Sequence, residues 1–197
     1  MKAPKTEGNY EKHPEGQFPL VCCQVVDLGT HHNPKKDKDE HKIRFMFLSD
    51  QLMTEGDTED QPFAVFAQFN YSMYLNSHLH NFIQSWVGKS FPDQDTADNF
   101  DLSWCLAKPA YAHIVHNQGY VNIQSIMPLP AEVSPPAVKG ESILFDLNSP
   151  NRTSLGYLGE KTQEIIMTSH EWLEYVETEV PPGSASESNP PDDKAPW

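Results

Sequence analysis

Histidine is the residue type in this sequence best suited to holding a metal ion or transferring a proton, and the chain contains nine of them. Six of the nine form three closely spaced pairs: His31-His32, His78-x-His80 and His113-x-x-His116. In a helix the side chains of the second pair would diverge by about 160°, and in a strand those of the third pair would lie on opposite faces. Neither spacing lets both imidazoles bind one ion, and we predict no metal site.

The motifs that mark common catalytic and cofactor sites do not occur in the sequence. It has no Cys-x-x-Cys pair, glycine-rich phosphate loop, Gly-x-Ser-x-Gly turn or His-Glu-x-x-His run. The adjacent carboxylates Asp192 and Asp193 lie in a Pro- and Ser-rich segment that is unsuited to holding a catalytic geometry. We therefore predict that the protein is not an enzyme and uses no cofactor. An enzyme built on the histidines is an alternative that no coherent constellation supports.

A cluster of cations and two alternating segments indicate a different chemistry, the binding of single-stranded nucleic acid. This ligand needs aromatic rings on which its bases stack and cations that follow its phosphates. The predicted contacts are Lys35, Lys36, Lys38, Lys42, Arg44, Phe66 and Tyr74. A β-bulge would exchange the two faces of the strands and would put Phe47, Phe69 and Tyr71 on the stacking surface instead.

Two other interpretations of these residues stay open. Three acids, Asp37, Asp39 and Glu40, are interleaved with the lysines, so the segment is also compatible with a solvated polar loop. The rings of Phe66 and Tyr74 could equally pack beneath the C-terminal segment. The sequence does not decide between DNA and RNA, which differ in contacts to the 2′-hydroxyl.

The elements that must position these residues are mainly strands. Apolar runs and two-residue alternation predict strands at 18–28, 41–48, 62–75, 110–116 and 120–127. A helical period predicts a helix at 77–87, with Ser77 as its N-cap and Gly88 at its end. One helix between the third and fourth of five strands is the arrangement of an OB-fold barrel, whose second and third strands bind oligonucleotides. Other small barrels could match the same order.

The predicted organisation has four parts. Residues 1–17 form a flexible lead-in, and 18–130 form the OB-fold-like nucleic-acid-binding domain. Residues 131–180 form an extension with short helices that packs on or beside the barrel, and 181–197 form a disordered acidic tail with an aromatic tip. The sequence has neither a stretch of about 18 apolar residues nor a hydrophobic signal region. Two of its three cysteines are adjacent and are poorly placed to bridge each other. We expect a cytoplasmic protein with reduced thiols and no membrane partner.

The net charge of −14, taken alone, argues against a nucleic-acid partner. Its distribution changes that argument. Residues 1–130 carry 16 acidic and 10 basic side chains, a net of −6, whereas residues 131–197 carry 12 and 4, a net of −8. The acidic excess is thus concentrated in the last third of the chain, away from the predicted binding residues.

The tail ends in an acidic pair followed by a Pro-Trp dipeptide. A terminal Trp on a polar tail has no core to join, and an apolar pocket with basic neighbours on a partner protein would suit it. The predicted partner-binding residues are Asp192, Asp193, Pro196 and Trp197. The segment resembles the acidic tip of bacterial single-stranded-DNA-binding proteins, which ends in Asp-Asp, an apolar residue, Pro and Phe; here Lys194 interrupts the acids and Trp replaces Phe. An ordinary charged tail is the alternative.

Several runs along the chain resemble a family of phage and prophage proteins. These runs are VVDLGT (25–30), LSDQLMTEG (48–56), SHLHNFIQSWVGKSF (77–91), FDLSWCLAKPAYAHIVH (100–116) and GYVNIQSIMPLP (119–130), with a fainter similarity at EKTQEIIMTSHEW. The resemblance covers roughly residues 1–130. It implies an OB-fold protein that acts in phage replication and recombination inside a bacterial host cell.

These observations together predict a phage-encoded single-stranded-DNA-binding protein whose tail recruits replication or recombination proteins. A homo-oligomer is compatible with the sequence. The alternative from another class is an acidic DNA mimic or adaptor that inhibits or recruits a host nucleic-acid enzyme, which the charge of −14 favours.

Overall fold

The fold is mainly β, and it is known from a computed structural model that describes residues 11–55, 58–137 and 142–179. Six strands are present in these ranges: β1 (Gly16–Asn33), β2 (Lys38–Leu52), β3 (Pro62–Asn70), β4 (Pro109–Asn117), β5 (Tyr120–Met127) and β6 (Ile143–Phe145). The helices of the same ranges are α1 (His78–Val87), α2 (Gln94–Asp98), α3 (Arg152–Gly156), α4 (Glu160–Met167) and α5 (His170–Glu179), with a 3-10 helix at Leu102–Cys105. None of them is long and apolar enough to cross a membrane.

The long strand β1 organises the sheet because it pairs on both of its edges. One edge pairs with β2 along nearly its whole length, with bulges between Cys22 and Gln24 and between Asp27 and Gly29. The other edge pairs first with β4 and then, in parallel, with β6. Most of the residues between the predicted strands at 18–28 and 41–48 extend these strands, so only residues 34–37 form the tip of the β1–β2 hairpin.

The hydrogen-bonded path of the sheet runs β3-β2-β1-β4-β5 and remains open at its ends. Closure into a five-stranded barrel, as predicted, is not confirmed, because β3 and β5 form no ladder in the described residues although they approach each other. Helix α1 lies against both strands at this gap. Its Phe82 ring lies 4.7 Å from the Phe69 ring of β3, and Phe69, Phe82 and Ile123 of β5 line one cleft.

Helix α1 forms where the sequence predicts it, and its ends carry the predicted signals. The Ser77 hydroxyl accepts a hydrogen bond from the backbone N–H of His80, and Gly88 ends the helix with a φ of 74°. Leu79, Ile83 and Trp86 form its buried face. The Trp86 indole N–H donates to the Pro109 carbonyl at 3.0 Å, which ties the helix to the start of β4.

The apolar side chains form two cores on opposite sides of the sheet. The larger core lies on the inner face and includes Phe45, Phe47, Val65, Ile83 and Trp86. The smaller core joins Val26 and Leu28 of β1 to side chains of the C-terminal extension, among them Phe145, Ile166 and Trp172. Residues 142–179 therefore pack on the sheet, and each core stabilises its half of the molecule by removing apolar surface from water.

The N-terminal end of the described chain differs from the predicted flexible lead-in. Residues 11–15 contact the sheet: the His13 ring is buried 4.6 Å from the Phe18 ring, and the Glu15 carboxylate accepts from the His116 backbone N–H. The strand β1 begins at Gly16, inside the predicted lead-in of 1–17. The predicted partner-binding residues Asp192, Asp193, Pro196 and Trp197 lie outside the described residues.

Candidate nucleic-acid interface

The candidate interface is the outer face of β2 and β3, and the alternation of the two strands creates it. Ile43, Phe45 and Phe47 point into the core, so Lys42 and Arg44 point outward. On β3 the outward side chains are Ala64, Phe66, Gln68 and Asn70, all exposed. The register of the pair is continuous from Lys42↔Asn70 to Leu48↔Ala64, so Arg44 stands opposite Gln68 and Met46 opposite Phe66.

Arg44 is the cation at the centre of this face. Its guanidinium lies 5.3 Å from the centroid of the Phe66 ring, within the range of a cation–π interaction. The same guanidinium donates a hydrogen bond to the Thr162 hydroxyl of α4. Partial burial lowers the pKa of Arg44, which still remains charged at neutral pH. Arg44 thus joins the exposed ring to the C-terminal extension.

The lysines of the predicted basic segment surround one buried carboxylate, that of Glu40. Its side chain is 3% exposed, and the ammonium groups of Lys36 and Lys42 each lie 2.8 Å from its oxygens, with Lys38 at 3.6 Å. The Asn33 amide donates to the same carboxylate at 2.8 Å. Hydrogen bonds from Lys36, Lys42 and Asn33 hold the pKa of Glu40 far below its ordinary value. One acid therefore offsets part of the charge of three lysines.

The remaining charges of the hairpin tip are exposed. Lys35 is exposed, and its backbone N–H donates to the Asn33 side chain at 3.1 Å. The imidazole of His32 lies 3.7 Å from Asp37 and 3.2 Å from Asp39. The tip is thus a mixture of both signs, as the sequence indicates, with Lys36 and Lys38 each a little more than half exposed above Glu40.

The alternative set of rings, which needs a bulge in β2 or β3, is arranged differently. Phe47 is fully buried in the larger core, and the continuous register between Lys42 and Leu48 leaves it there. Phe69 is half-buried against Phe82. Tyr71 follows β3, and its ring lies 5.0 Å from the His41 ring. Burial is the main cause of a raised pKa of Tyr71, and the charges of Asp27, Asp146 and Asp101 raise it further. Three of the predicted rings are exposed: Phe66 at 48%, Tyr74 at 71% and Tyr71 at 37%.

Two adjoining clefts run along the outer face. The first, about 500 Å³ in volume, lies where β3 meets the start of α1. The second, about 320 Å³, lies between the β1–β2 hairpin and α4. Lys42 and Gln68 line both clefts, so the two clefts adjoin at these side chains. Tyr74 lies in the connection that follows β3.

An acidic cluster that the sequence analysis did not predict links the sheet to α5. Asp27 is 4% exposed, and its carboxylate lies 2.6 Å from Nε2 of His41. The other ring nitrogen of His41 lies 3.8 Å from Glu171, which accepts hydrogen bonds from the backbone N–H and the hydroxyl of Thr30. The hydrogen bond to Asp27 raises the pKa of His41, with further contributions from Glu171 and Asp146.

This cluster does not amount to a metal centre. In the part of the chain that the structure describes, no group of three or more His, Cys, Asp or Glu side chains is placed to hold a metal ion. The three cysteines are free and buried, and burial raises the pKa of the Cys22 and Cys105 thiols, that of Cys105 to about 12.

The sequence analysis did not identify Glu40, Thr162 and Ile165 as members of this face. Glu40 has the same strand parity as Lys42 and Arg44, and this alternation is the signal that could have placed it among the lysines. Thr162 lies 118 residues from Arg44 in sequence, and Ile165 is similarly remote from the β1–β2 hairpin whose cleft it lines. No local pattern could have revealed that contact.

Comparison with known proteins does not identify a function for this site. No family model, no curated protein and no solved structure matches the chain.

Proposed function

We propose that the protein binds single-stranded DNA through the outer face of β2 and β3. The observation that carries this proposal is the exposed Phe66 ring with the Arg44 guanidinium stacked over it. An exposed ring offers a surface for a base, and base stacking contributes about 1–3 kcal/mol per base without depending on sequence. Arg44, Lys42 and the hairpin lysines supply cations along the same face for the phosphates.

The strand order supports this proposal through the OB-fold. That fold is a partly open five-stranded barrel in which strands 2 and 3 and the loops between strands 1–2 and 4–5 bind oligonucleotides. Here the path β3-β2-β1-β4-β5 is open, and α1 comes between β3 and β4, which is compatible with that fold. The β1–β2 tip carries Lys35 and Lys36, and the β4–β5 turn is followed by Tyr120, which is 74% exposed.

The acidity of the chain is compatible with this function because the acids lie mostly elsewhere. On the proposed face the carboxylate within contact distance of the lysines, Glu40, is covered by them. We propose further that the protein is of phage origin, acts in replication or recombination, and recruits partner proteins through Asp192, Asp193, Pro196 and Trp197. Like charges would keep that tail away from DNA.

Fluorescence anisotropy with labelled oligo-dT over a salt series tests the proposal. We expect the protein to bind oligo-dT at low salt. The logarithm of the affinity should fall linearly with the logarithm of the salt concentration, because phosphate contacts release counterions. Binding that is undetectable even at about 20 mM salt, where phosphate contacts are strongest, would contradict it. That result would favour the second candidate, an acidic DNA mimic or adaptor, for which the net charge of −14 is the observation.

A further inference from the structure

The second cleft is bordered by the C-terminal extension as well as by the sheet. Ile165 of α4 forms one wall, His31 and Pro34 of the hairpin form the other, and Lys42 and Gln68 lie between them. Its volume of about 320 Å³ is at the lower end of the ~300–1,000 Å³ typical of ligand pockets. The cleft is therefore large enough for one small flat ligand group.

Ile165 is positioned in this wall without being needed for packing. Its neighbour Ile166 is fully buried in the smaller core, whereas Ile165 is 38% exposed. Two contacts on one face of α4 fix its orientation: Ile166 packs in the smaller core, and Thr162, one helical turn earlier, accepts the hydrogen bond from Arg44. The helix thus presents an apolar side chain toward the cleft at a defined position.

The charges around the cleft favour an anionic ligand with an apolar plane. Lys42 and Glu40 line its hairpin side, and Lys36 and Lys42 each lie 2.8 Å from the Glu40 carboxylate and offset its charge. Lys161 is exposed and lies one helical turn before Ile165, on the same side of α4. Ile165 and Pro34 offer apolar surface for the plane, and the Gln68 amide offers a donor and an acceptor for a polar edge.

We infer that this cleft binds one unpaired nucleotide of the DNA strand, with the base between Ile165 and the hairpin and a phosphate near Lys36, Lys42 or Lys161. The inference rests on the proposed function and deepens it, because it makes α4 of the C-terminal extension a part of the DNA interface. The strand would pass from the Phe66 ring over Lys42 and Gln68, which the two clefts share.

The test compares Ile165→Asp with Met167→Asp. Both side chains are apolar, belong to the same helix and are similarly exposed, at 38% and 42%, but only Ile165 lines the cleft. With a fluorescent oligo-dT of about 15 nucleotides, within the site sizes of single OB-folds, we expect Ile165→Asp to weaken binding about tenfold and Met167→Asp to change it less than about twofold. Equal affinities of the two variants would overturn the inference.

A second measurement uses the unaltered chain, so it does not depend on how the variants fold. An oligo-dT containing 5-iodouracil, crosslinked by light and mapped by peptide mass spectrometry, is expected to label the segment 28–35 or the segment 160–167. Crosslinks confined to the remainder of the chain would overturn the inference. If the wild-type protein binds oligo-dT and Phe66→Ala weakens that binding while Ile165→Asp does not, the inference alone fails. If the wild-type protein does not bind, the proposed function fails with it.

Discussion

The Arg44 guanidinium lies 5.3 Å from the centroid of the Phe66 ring and also donates a hydrogen bond to Thr162 of α4. One side chain thus joins three features of the molecule: a cation, an exposed ring and the C-terminal extension. Because the stacked guanidinium occupies one face of the ring, a base would meet the other face or the ring edge. The extension therefore lies beside the proposed DNA interface and helps to hold its central cation.

The close approach of β1 to the extension depends on a glycine. Gly29 has a φ of +77°, and a Cβ built on it would lie 2.4 Å from the Cβ of Ser169. Gly29→Ala would therefore strain the backbone by about 1–2 kcal/mol and overpack the contact by a further ~1–3 kcal/mol. We expect a total loss of about 2–5 kcal/mol in the free energy of unfolding, measured by urea denaturation.

Gly119→Ala is the matched control for this substitution. Gly119 also has a positive φ, of +86°, but a Cβ there would meet no atom within 4 Å. Gly119→Ala therefore measures the backbone strain alone, and we expect it to lower the free energy of unfolding by only about 1–2 kcal/mol. If Gly29→Ala costs no more than Gly119→Ala, the extension does not pack on β1 as described.

His41 makes the stability of the protein depend on pH. The Asp27 carboxylate raises the folded-state pKa of His41 above the ordinary value of 6.5. A raised pKa stabilises the fold fully below the unfolded value, and the stabilisation is lost as pH rises through the folded value. His41→Gln is expected to cost about 1–2 kcal/mol at pH 6, with the difference from wild type shrinking toward pH 9.

The control for His41 is His78→Gln, since His78 is exposed at the start of α1. The free energy of unfolding of His78→Gln should depend on pH as that of the wild-type protein does. Chemical denaturation across the pH range measures both variants. A difference between wild type and His41→Gln that stays constant or grows with rising pH would show that the imidazole is not held by Asp27, Glu171 and Asp146 in its charged form.

Glu40 should affect stability and DNA binding in opposite directions. Glu40→Gln removes the shared partner of Lys36, Lys38 and Lys42, so we expect a lower Tm. This loss of stability should be present above pH 4.5, the ordinary pKa of a Glu carboxyl. It should fade as the pH falls through the lower pKa that Glu40 has in the folded protein. Removal of one anion about 5 Å from a phosphate should tighten oligo-dT binding about three- to fourfold at low salt.

Glu177→Gln serves as the control, because Glu177 is exposed on α5, lies outside the segment 160–167 and makes no ion pair with the hairpin lysines among the described residues. It should leave Tm and oligo-dT affinity close to wild type. Weaker oligo-dT binding by Glu40→Gln would mean that Glu40 is needed to position the lysines and does more than offset their charge.

The cysteine thiols should be unreactive in the folded protein. Cys22 and Cys105 are fully buried, and burial raises the pKa of the Cys105 thiol to about 12, so little thiolate exists at pH 8. A colorimetric thiol reagent should label them in urea and leave them unlabelled without it. Rapid labelling of the native protein would contradict the described packing of the larger core.

Local patterns in the sequence predicted the parts of the fold that local interactions determine. Alternation placed Lys42 and Arg44 opposite the buried Phe45 and Phe47, and the helical period with its Ser77 cap gave α1. The open gap between β3 and β5 could not be predicted, because it depends on how α1 packs against both strands. The same holds for the contact of Arg44 with Thr162, which joins residues 118 positions apart.

The central claim is that the Phe66 face of the sheet binds single-stranded DNA, and Phe66→Ala tests it most directly. Tyr157→Ala is the control, since Tyr157 is an exposed ring that follows α3 in the C-terminal extension and belongs to neither β2 nor β3. With labelled oligo-dT in a fluorescence anisotropy titration, Phe66→Ala should weaken binding about 5- to 150-fold, the equivalent of one lost base stack. Tyr157→Ala should bind as wild type does. Equal affinities of Phe66→Ala and wild type would contradict the account.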